Sequence, residues 1–366
     1  QDVGPGTSFT SGARVRVIPP IKHDTLTAVR KLDVFNHIYP RAYFDLMMAV
    51  APTFKDIGKR MRNIPMLVDL DERFRVMDRF ADYQQILSIA TPPIEVFSTG
   101  QDSVDLARAA NDGMAALVAK YPDRFPGFVA SLPLGDADAA LRETERAVGD
   151  LGARGIQVFS NINGKPLDRP EYLALFERMA AFDLPVWLHP FRGADVTDYA
   201  TESKSLYEIW WTFGWPYETS VAMSRLVFSG IFDRHPRLKI ITHHLGAMAP
   251  YFEGRVGPGW DQLGSRTSDE DYGAVLKRLA KRPIDYFRMF YADTAVFGAY
   301  DATVCGLNFF GAGHVLFASD APFDPERGPM YIRETIAILD RLPIADGDRE
   351  RIYWRNAVDL LRLPTG

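Results

Sequence analysis

The sequence has very little cysteine: Cys305 is the single one among 366 residues. One cysteine can form neither a disulfide within the chain nor a cysteine-based zinc site. The sequence also lacks an apolar run near the ~18 residues that cross a bilayer, a long block of like charges and a G-x-S-x-G nucleophile elbow. These absences exclude the membrane-spanning and disulfide-scaffold classes, and they give no indication of a nucleic-acid-binding arm.

The composition that remains is typical of a folded enzyme. Hydrophobic residues make up 47% of the chain, charged residues 24%, and the formal net charge is −5. This balance excludes a disordered chain, and we expect a cytoplasmic protein. Residues 1–13 are rich in Gly, Ser and Thr, and they predict a flexible N-terminal arm. We expect residues 14–366 to form a single catalytic domain.

Short β-rich runs alternate with helical patterns along the body of the chain. Candidate strands are 31–38, 84–90, 126–132, 155–160, 185–189, 238–243, 289–295 and 314–319, and candidate helices are 103–120, 136–151, 168–182, 218–233, 298–310, 329–341 and 348–361. Eight strands alternating with helices predict an α/β protein, specifically a (β/α)8 TIM barrel. Ser103, Asp136 and Asp168 are the expected helix N-caps.

Two segments between the predicted elements are longer than a plain barrel needs. Residues 41–82 follow the first strand, and residues 191–217 follow the fifth, so we expect enlarged loops after strands 1 and 5. A doubly wound open sheet is the alternative architecture, but YPRAYFDLM follows the first strand where that fold would need a glycine-rich phosphate loop. Loops after barrel strands build the active-site face, so the second segment is a candidate lid.

Histidine and aspartate occur at the ends of several predicted strands. His37 ends strand 1, His189 strand 5, and Asp320 strand 8, while His243 and His244 both end strand 6. In a barrel these ends converge on one pocket, and imidazole with carboxylate is a ligand set for a divalent metal such as zinc. The other histidines, at 23, 235 and 314, have no such placement, and we expect them at the surface or in turns.

Aromatic residues also concentrate at or just after the predicted strand ends, where they would wall a pocket for a planar or conjugated substrate. They are Phe35, Trp187, Phe191, Trp210, Trp211, Trp215 and Phe297. Arg192, next to Phe191, could bind an anion there. Flat walls favour an aromatic acid as the substrate.

Seven segments resemble the amidohydrolase-related decarboxylases and hydrolases, the family that includes 2-amino-3-carboxymuconate-6-semialdehyde decarboxylase and γ-resorcylate decarboxylase. The segments are DVFNHIYP, YPDRFPGFVASLPL, GIQVFSNINGKPLDRPEY, LPVWLHP, RLVFSGIFDRHPRLKIITHHLGAMAPYFEGR, FYADT and VLFASDAPFDPE. They occur in the same order, and the resemblance covers roughly residues 31–361. The resemblance implies the barrel fold, a small-molecule substrate and a homodimer or larger homo-oligomer.

Position by position, the resemblance implies metal ligands at His37, His189 and Asp320. It implies a catalytic or orienting histidine at the pair His243–His244, of which we favour His244 for the chemistry. Arg255 matches a family arginine that can bind a substrate carboxylate, sometimes across a dimer interface. The implied ion is divalent, with zinc expected first and manganese second.

The chain departs from the family on strand 1, where the family usually has His-x-His or Glu-x-His. This sequence has Phe35-Asn36-His37, and a phenylalanine ring cannot bind a metal. Three ligands plus water can still form an open catalytic site; otherwise the ion could differ, or the site could work without metal. We expect Phe35 and Asn36 to contribute to the substrate pocket instead.

Two reaction classes fit this set of residues. In the first, a metal-dependent carboxy-lyase, Asp320 protonates the ring carbon that bears the carboxylate of an aromatic or unsaturated acid, and CO2 leaves. In the second, a hydrolase, lactonase or hydratase, the same aspartate takes a proton from an attacking water, possibly without metal. A binding protein derived from an enzyme is the third hypothesis. Aromatic walls lead us to prefer the decarboxylase.

Overall fold

The computed structural model describes residues 29–364, except residues 54 and 56. The expected N-terminal arm at residues 1–13 lies outside the described residues, and so does His23. Within the described part of the chain, no helix combines the length and apolar character that crossing a membrane requires.

Every one of the eight predicted β-rich runs contains a strand. The strands are β1 (Lys31–Ile38), β2 (Tyr83–Ile89), β3 (Gly127–Phe128), β4 (Ile156–Phe159), β5 (Asn161–Ile162), β6 (Lys165–Pro166), β7 (Val186–His189), β8 (Ile240–Thr242), β9 (Tyr291–Asp293) and β10 (Val315–Leu316). The pair β5 and β6 was not predicted, and it forms a small antiparallel hairpin.

Helices separate the strands, as the alternation predicts. They are α1 (Arg41–Val50), α2 (Ile57–Met61), α3 (Leu70–Met77), α4 (Ile94–Phe97), α5 (Gly100–Lys120), α6 (Ala137–Gly149), α7 (Pro170–Phe182), α8 (Ile209–Thr212), α9 (Gly214–Phe228), α10 (Ile231–Arg234), α11 (Tyr272–Arg278), α12 (Pro283–Phe287), α13 (Tyr300–Phe310), α14 (Pro329–Arg341), α15 (Asp346–Glu350) and α16 (Asn356–Leu361). The segment after β1 therefore contains α1, α2 and α3.

The strands pair in parallel in two sheets, with the orders β1-β2-β3 and β10-β9-β8-β7-β4. Backbone contacts link the sheets on both sides. Ala130 forms a parallel bridge with Ile156, and the Val34 amide donates to the Phe317 carbonyl at 3.0 Å. Parallel strands with helical connections confirm the α/β class, and they bring the carboxyl ends of the strands to one edge.

Helix capping agrees with the sequence at one of three positions. The Asp136 carboxylate accepts from the Ala139 amide at 2.9 Å and begins α6, as predicted. Ser103 lies inside α5, which begins four residues earlier than expected at its Thr99 cap, and its hydroxyl bonds the Gly100 carbonyl. Asp168 pairs with Arg225 instead of capping α7. The predicted caps at Ser103 and Asp168 were therefore wrong, and each of these side chains has another partner.

The interior between the strands is filled by large apolar side chains. Leu32, Val34, Trp187 and Ile241 belong to one fully buried cluster that also contains Phe35. Gly155, at the entry to β4, has φ 156°, and a Cβ there would lie 2.5 Å from the Trp187 ring. A larger residue at this position would therefore displace the tryptophan that fills the core.

Candidate active site

Five residues predicted from the strand ends come together at the carboxyl edge of the sheets. The ligand atoms of His37, His189 and His243 all lie within 4.8 Å of one another, and so do those of His243, His244 and Asp320. All except His244, which is partly exposed, are buried residues. The two groups share His243, so the five side chains form one continuous cluster.

The hydrogen bonds of His37 define which ring nitrogen is available. The Ser88 hydroxyl donates to the Asn36 carbonyl at 2.6 Å, so its oxygen accepts from His37 Nδ1 at 3.2 Å. The lone pair of His37 Nε2 then points to Asp320 Oδ1, 3.0 Å away. Two acceptors at this distance repel unless a cation or a proton lies between them. The pair is therefore suited to two ligands of one ion.

His189 is oriented in the same way. Its Nδ1 donates to the Pro190 carbonyl at 2.6 Å, which leaves Nε2 as the unprotonated nitrogen. Burial, followed by the nearby imidazoles of His243 and His37, holds the pKa of His189 well below its ordinary value. The ring is neutral as a result, and neutral imidazole is the form that binds metals.

Asp293, at the end of β9, anchors the histidine pair. Its carboxylate accepts from His243 Nδ1 at 2.5 Å and from the His244 amide at 3.1 Å. Burial opposes protonation of His243, but the Asp293 carboxylate outweighs it and raises the pKa of His243 to about 9. The other nitrogen, Nε2, lies 3.5 Å from Asp320 Oδ1.

His244 differs from His243 in having no anchor for its ring. Neither ring nitrogen has a hydrogen-bond partner among the described residues, and Nε2 lies 3.9 Å from Asp320 Oδ2. Burial and the neighbouring His243 lower the pKa of His244. Ring nitrogens that are buried without a partner are groups that a ligand or water can engage.

Asp320 has the left-handed backbone conformation, with φ 62°, which is uncommon for a residue with a side chain. Its amide donates to the Phe35 carbonyl at 3.0 Å. Burial would raise the pKa of the Asp320 carboxyl, but the neighbouring His243 imidazolium holds it well below its ordinary value. The strained backbone is typical of a functional site.

A cavity of about 530 Å³ opens above Asp320, His37 and His189. Its walls include Trp210, Trp211, Trp215 and Phe297, four of the aromatic residues expected to wall the pocket. The cavity is also lined by Lys59, Arg60, Thr91, Glu208, Phe323, Pro325 and Tyr331. Its dimensions and its mixture of flat apolar walls with a few polar groups suit a small aromatic ligand.

Phe35 packs beneath the cluster. Its ring centroid lies 5.0 Å from that of His37, 5.6 Å from that of His189 and 4.1 Å from that of His243. The side chain is fully buried, and it does not line the cavity. Phe35 therefore supports the histidine rings from below.

Two further residues expected in the pocket have structural surroundings instead. The Trp187 ring is buried in the core, and its Nε1 donates to the Val34 carbonyl at 3.0 Å. Asn36 is fully buried, and its amide group donates to the Asp33 and Ile86 carbonyls. Side chains alternate along a strand, so Asn36 faces away from the neighbours of His37.

A buried arginine holds the strand that carries His37. Arg73, on α3, donates to Gln85 Oε1 at 2.6 Å and to Asn36 Oδ1 at 3.1 Å. It also bonds the His37 carbonyl oxygen. Through Arg73 the long segment after β1 is joined to the backbone of a site residue.

Phe191 and Arg192 line a neighbouring cavity of about 680 Å³, which shares Trp210 and Trp215 with the first. Although it is larger, it contains none of the histidines. Arg192 pairs with Glu218 at 3.1 Å. Arg255 is exposed, with its guanidinium 5.8 Å from the centre of the Phe252 ring, and it lines neither cavity.

Several residues of the site were not among those predicted. Asp293 could have been found, because it ends a predicted strand in the segment FYADT, as Asp320 ends the last one. Lys59, Arg60 and Glu208 lie in the segments after β1 and β7, and Tyr331 follows β10 in α14. No periodicity or strand end indicated those four, because tertiary packing alone brings them to the pocket.

The chain is similar to a set of proteins with known names. The family model described as Amidohydrolase matches residues 63–363. γ-Resorcylate decarboxylase of Polaromonas sp. strain JS666 is 34% identical, over 81% of this chain and 89% of the relative. The 2-amino-3-carboxymuconate-6-semialdehyde decarboxylase of Dictyostelium discoideum is 29% identical, over 81% of this chain and 77% of the relative.

A solved structure gives the same result. The dihydroxybenzoic acid decarboxylase from Polaromonas sp. JS666, with bound manganese and the inhibitor 2-nitroresorcinol, superposes with a TM-score of 0.74 at 28% identity. The superposition covers 91% of this chain and 97% of that chain. These matches confirm the resemblance that the seven sequence segments indicated.

Proposed function

The chain belongs to the amidohydrolase family, and from this premise we propose that it is a metal-dependent decarboxylase that removes the carboxylate of an aromatic acid without oxidation. The observation that supports this most directly is the pair His37 Nε2 and Asp320 Oδ1, 3.0 Å apart at the base of an aromatic cavity. The relatives described above are decarboxylases, two of them with aromatic acids in their names.

We further propose that residues 14–366 form one domain and that its strands close into a (β/α)8 barrel with enlarged loops after its first and fifth strands. The bridge between Ala130 and Ile156 and the bond from Val34 to Phe317 support closure. In a barrel the strand ends surround one pocket, and this is consistent with the convergence of His37, His189 and Asp320.

A divalent ion fits the donor atoms of the cluster. His37, His189 and Asp320 are the proposed ligands. The Asp293 carboxylate keeps His243 protonated, so His243 serves as a proton source and does not replace the donor that Phe35 cannot supply. We expected zinc first; the manganese in the Polaromonas structure supports manganese equally. When bound, the ion would act as a Lewis acid toward substrate oxygen atoms.

The proposed reaction exchanges a carboxylate for a proton on one carbon. Asp320 is ionised in the free protein, so it first takes a proton from the histidine pair beside it. It then donates that proton to the ring carbon that bears the carboxylate, the bond from that carbon to the carboxylate breaks, and its electron pair restores the aromatic ring as CO2 leaves. His243 and His244 lie within 3.9 Å of the Asp320 carboxylate, so they can return a proton to it. The unanchored ring of His244 supports our preference for it in this role.

The walls of the cavity support an aromatic carboxylate as the substrate. Trp211, Trp215 and Phe297 offer flat apolar surfaces, and Lys59 and Arg60 add positive charge at the same cavity, which favours an anion. Phe191 and Arg192 line the neighbouring cavity, so we do not assign them to the reacting ring. The burial of Asn36 and Trp187 supports a structural role for both.

We also propose a homodimer or larger homo-oligomer. Several large apolar side chains after β7 are exposed, including Tyr207 at 90% and Phe213 at 72%. Exposed aromatic groups of this size are typical of interaction surfaces. Arg255 can complete the site of a neighbouring subunit only in such an assembly. Sedimentation of the purified protein would measure the oligomeric state.

Hydrolysis of a lactone remains the second candidate, and Phe35 in place of a ligand is the observation that favours it. It has less support, because both curated relatives described above are decarboxylases. Full turnover of a lactone after removal of divalent metal would favour it over the decarboxylase.

The experiment that tests the proposal measures CO2 release from a panel of hydroxybenzoates by metal-loaded protein. Asp320→Asn should lower turnover by roughly 100-fold or more, because it removes the proton donor. Asp301→Asn, at an exposed position on α13, is the matched control and should retain full turnover. Absence of CO2 from every acid with the metal-loaded protein would overturn the proposal.

A further inference from the structure

Two opposite charges line the substrate cavity without neutralising each other. Lys59, on α2, and Glu208, directly before α8, both line the cavity above His37 and Asp320. Among the residues that the structure describes, neither forms an ion pair, with the other or with a third residue. Charged groups in a binding cavity that lack an opposite charge in the protein are available to a ligand.

Glu208 is held in place by its surroundings, although it is an exposed residue. Its Oε2 accepts from Trp211 Nε1 at 3.1 Å. Its backbone has φ 58°, in the left-handed region, as do Asp320 with φ 62° and Phe297 with φ 55°, which line the same cavity. Left-handed conformations of residues with side chains cluster at functional sites, and here three of them surround one cavity.

Arg60 and Lys59 are not equivalent sources of positive charge. The Arg60 guanidinium donates to the Phe323 carbonyl, and also to the Asp324 carbonyl at 3.1 Å. These contacts connect α2 to the loop that follows Asp320. Lys59 has no hydrogen bond from its ammonium group among the described residues, so it is the cation of the cavity that remains free to attract an anionic substrate.

We propose that Glu208 is a specificity-determining residue, which selects an aromatic monocarboxylate with a hydrogen-bond donor on the ring edge that faces Glu208. A carboxylate can only accept hydrogen bonds. It favours a hydroxyl or amino substituent, tolerates a methyl group poorly because its own desolvation is then uncompensated, and repels a second carboxylate. This inference rests on the proposed decarboxylation, because that reaction requires the carbon that bears the carboxylate to lie at Asp320 and so orients the substrate.

The test compares one series of 2-hydroxybenzoates in which each remaining ring position bears, in turn, hydrogen, hydroxyl, amino, methyl or carboxylate. At the ring position that faces Glu208, kcat/KM of the wild-type protein should be higher for the donor substituents than for methyl, and higher for methyl than for carboxylate. Glu208→Gln keeps an acceptor for Trp211 and removes the charge. It should reduce the preference for hydroxyl over carboxylate by about 10-fold or more.

Two matched variants separate a specific role from a general electrostatic one. Asp195→Asn makes the same change of charge on the neighbouring cavity, and it should leave the substrate ratio unchanged. Lys59→Gln should raise KM for all the acids alike, because it weakens attraction of any anion. An unaltered ratio in Glu208→Gln, or an equal change of the ratio in Asp195→Asn, would overturn the inference.

A binding measurement keeps this result separate from the proposed reaction. Phenols that bear either a second hydroxyl or a carboxylate can be titrated against the fluorescence of Trp210, Trp211 and Trp215, which line the cavity. The titrations use protein that also carries Asp320→Asn, so that the hydroxybenzoates are not turned over. The dissociation constant of the phenol with a carboxylate, divided by that of the phenol with a second hydroxyl, should fall about 10-fold in Glu208→Gln. If no acid releases CO2 but this ratio changes, the proposed reaction fails and the selectivity of Glu208 stands; an unchanged ratio refutes the selectivity.

Discussion

The ring centroids of Phe35 and His243 lie 4.1 Å apart, with the two rings inclined at 76°. This edge-to-face contact places an apolar group at the position on β1 where the sequence resemblance implies a metal ligand. Phe35 also contacts His37 and His189. The histidines are therefore positioned by packing on a phenylalanine. The site has one metal-donor atom fewer than it would have with a ligand at position 35.

Restoring a ligand at this position should tighten metal binding. Phe35→His adds a nitrogen donor two residues before His37, on the same face of β1, and we expect Mn²⁺ or Zn²⁺ to bind about 10-fold more tightly. Competition with a chelator measures the affinity. Phe35→Leu is the control, which should show no gain; a folded Phe35→His protein with unchanged affinity would refute this role for the position.

The tryptophans should separate into a structural group and a substrate-binding group. Trp187→Phe removes the hydrogen bond to the Val34 carbonyl from the core, and it should cost about 1–3 kcal/mol of unfolding free energy with KM unchanged. Trp211→Ala should raise KM several-fold with little loss of stability, because Trp211 lines the cavity. Urea unfolding and steady-state kinetics measure the two effects. The reverse pattern would contradict the assignment.

Arg73 should be essential to the first strand. Arg73→Met leaves the His37 carbonyl, Asn36 Oδ1 and Gln85 Oε1 without their donor, and we expect a loss of roughly 3 kcal/mol or more. Arg75→Met, on the same helix, breaks only a half-exposed ion pair with Glu72 and should change stability by about 0.5 kcal/mol or less. Equal effects in the two variants would show that the buried contacts of Arg73 are unimportant.

Glu95 should make stability depend on pH. Both carboxylate oxygens are buried without partners among the described residues, and burial raises the pKa of Glu95 from 4.5 to about 8. Between these values the unfolded chain releases a proton that the folded protein retains. Stability should therefore fall by up to about 1.4 kcal/mol per pH unit as the pH rises through this window, and the loss should level off above pH 8.

Glu95→Gln removes this titration. Urea unfolding at pH 5 and pH 9 measures the effect. The free energy of unfolding of the variant, relative to that of wild type, should be higher at pH 9 than at pH 5. Glu145→Gln, at an exposed position on α6, should follow the wild-type curve. Parallel curves for Glu95→Gln and wild type would mean that Glu95 is ionised in the folded protein.

Strand-end positions were predictable from the sequence because the period of two and the alternation with helices fix them locally. His37, His189, His243 and Asp320 were identified in this way, and the structure brings them together. Asn36 was misplaced because the same period of two puts it on the face opposite His37, and Trp187 was misplaced because it lies two residues deeper in its strand than His189. Asn36 belongs to the opposite face of β1, and Trp187 turns into the core.

The charged part of the cavity wall could not be predicted, because it is formed by tertiary packing of the segments after β1 and β7. Lys59 and Glu208 are 149 positions apart in the sequence, yet both line the same cavity. Neither lies at a predicted strand end, and a charged residue in a long connecting segment has no local feature that distinguishes it from solvated surface. Their role depends on where α2 and α8 lie over the sheets.

The most direct test of metal-dependent decarboxylation is the yield of CO2 per molecule of acid consumed, measured on one preparation before chelation, after chelation, and after manganese or zinc is restored. We predict one CO2 for each acid consumed by the metal-loaded protein, loss of turnover after chelation, and recovery with the ion. Undiminished turnover after complete chelation, or consumption of the acid without CO2, would contradict the assignment of His37, His189 and Asp320 to a catalytic metal.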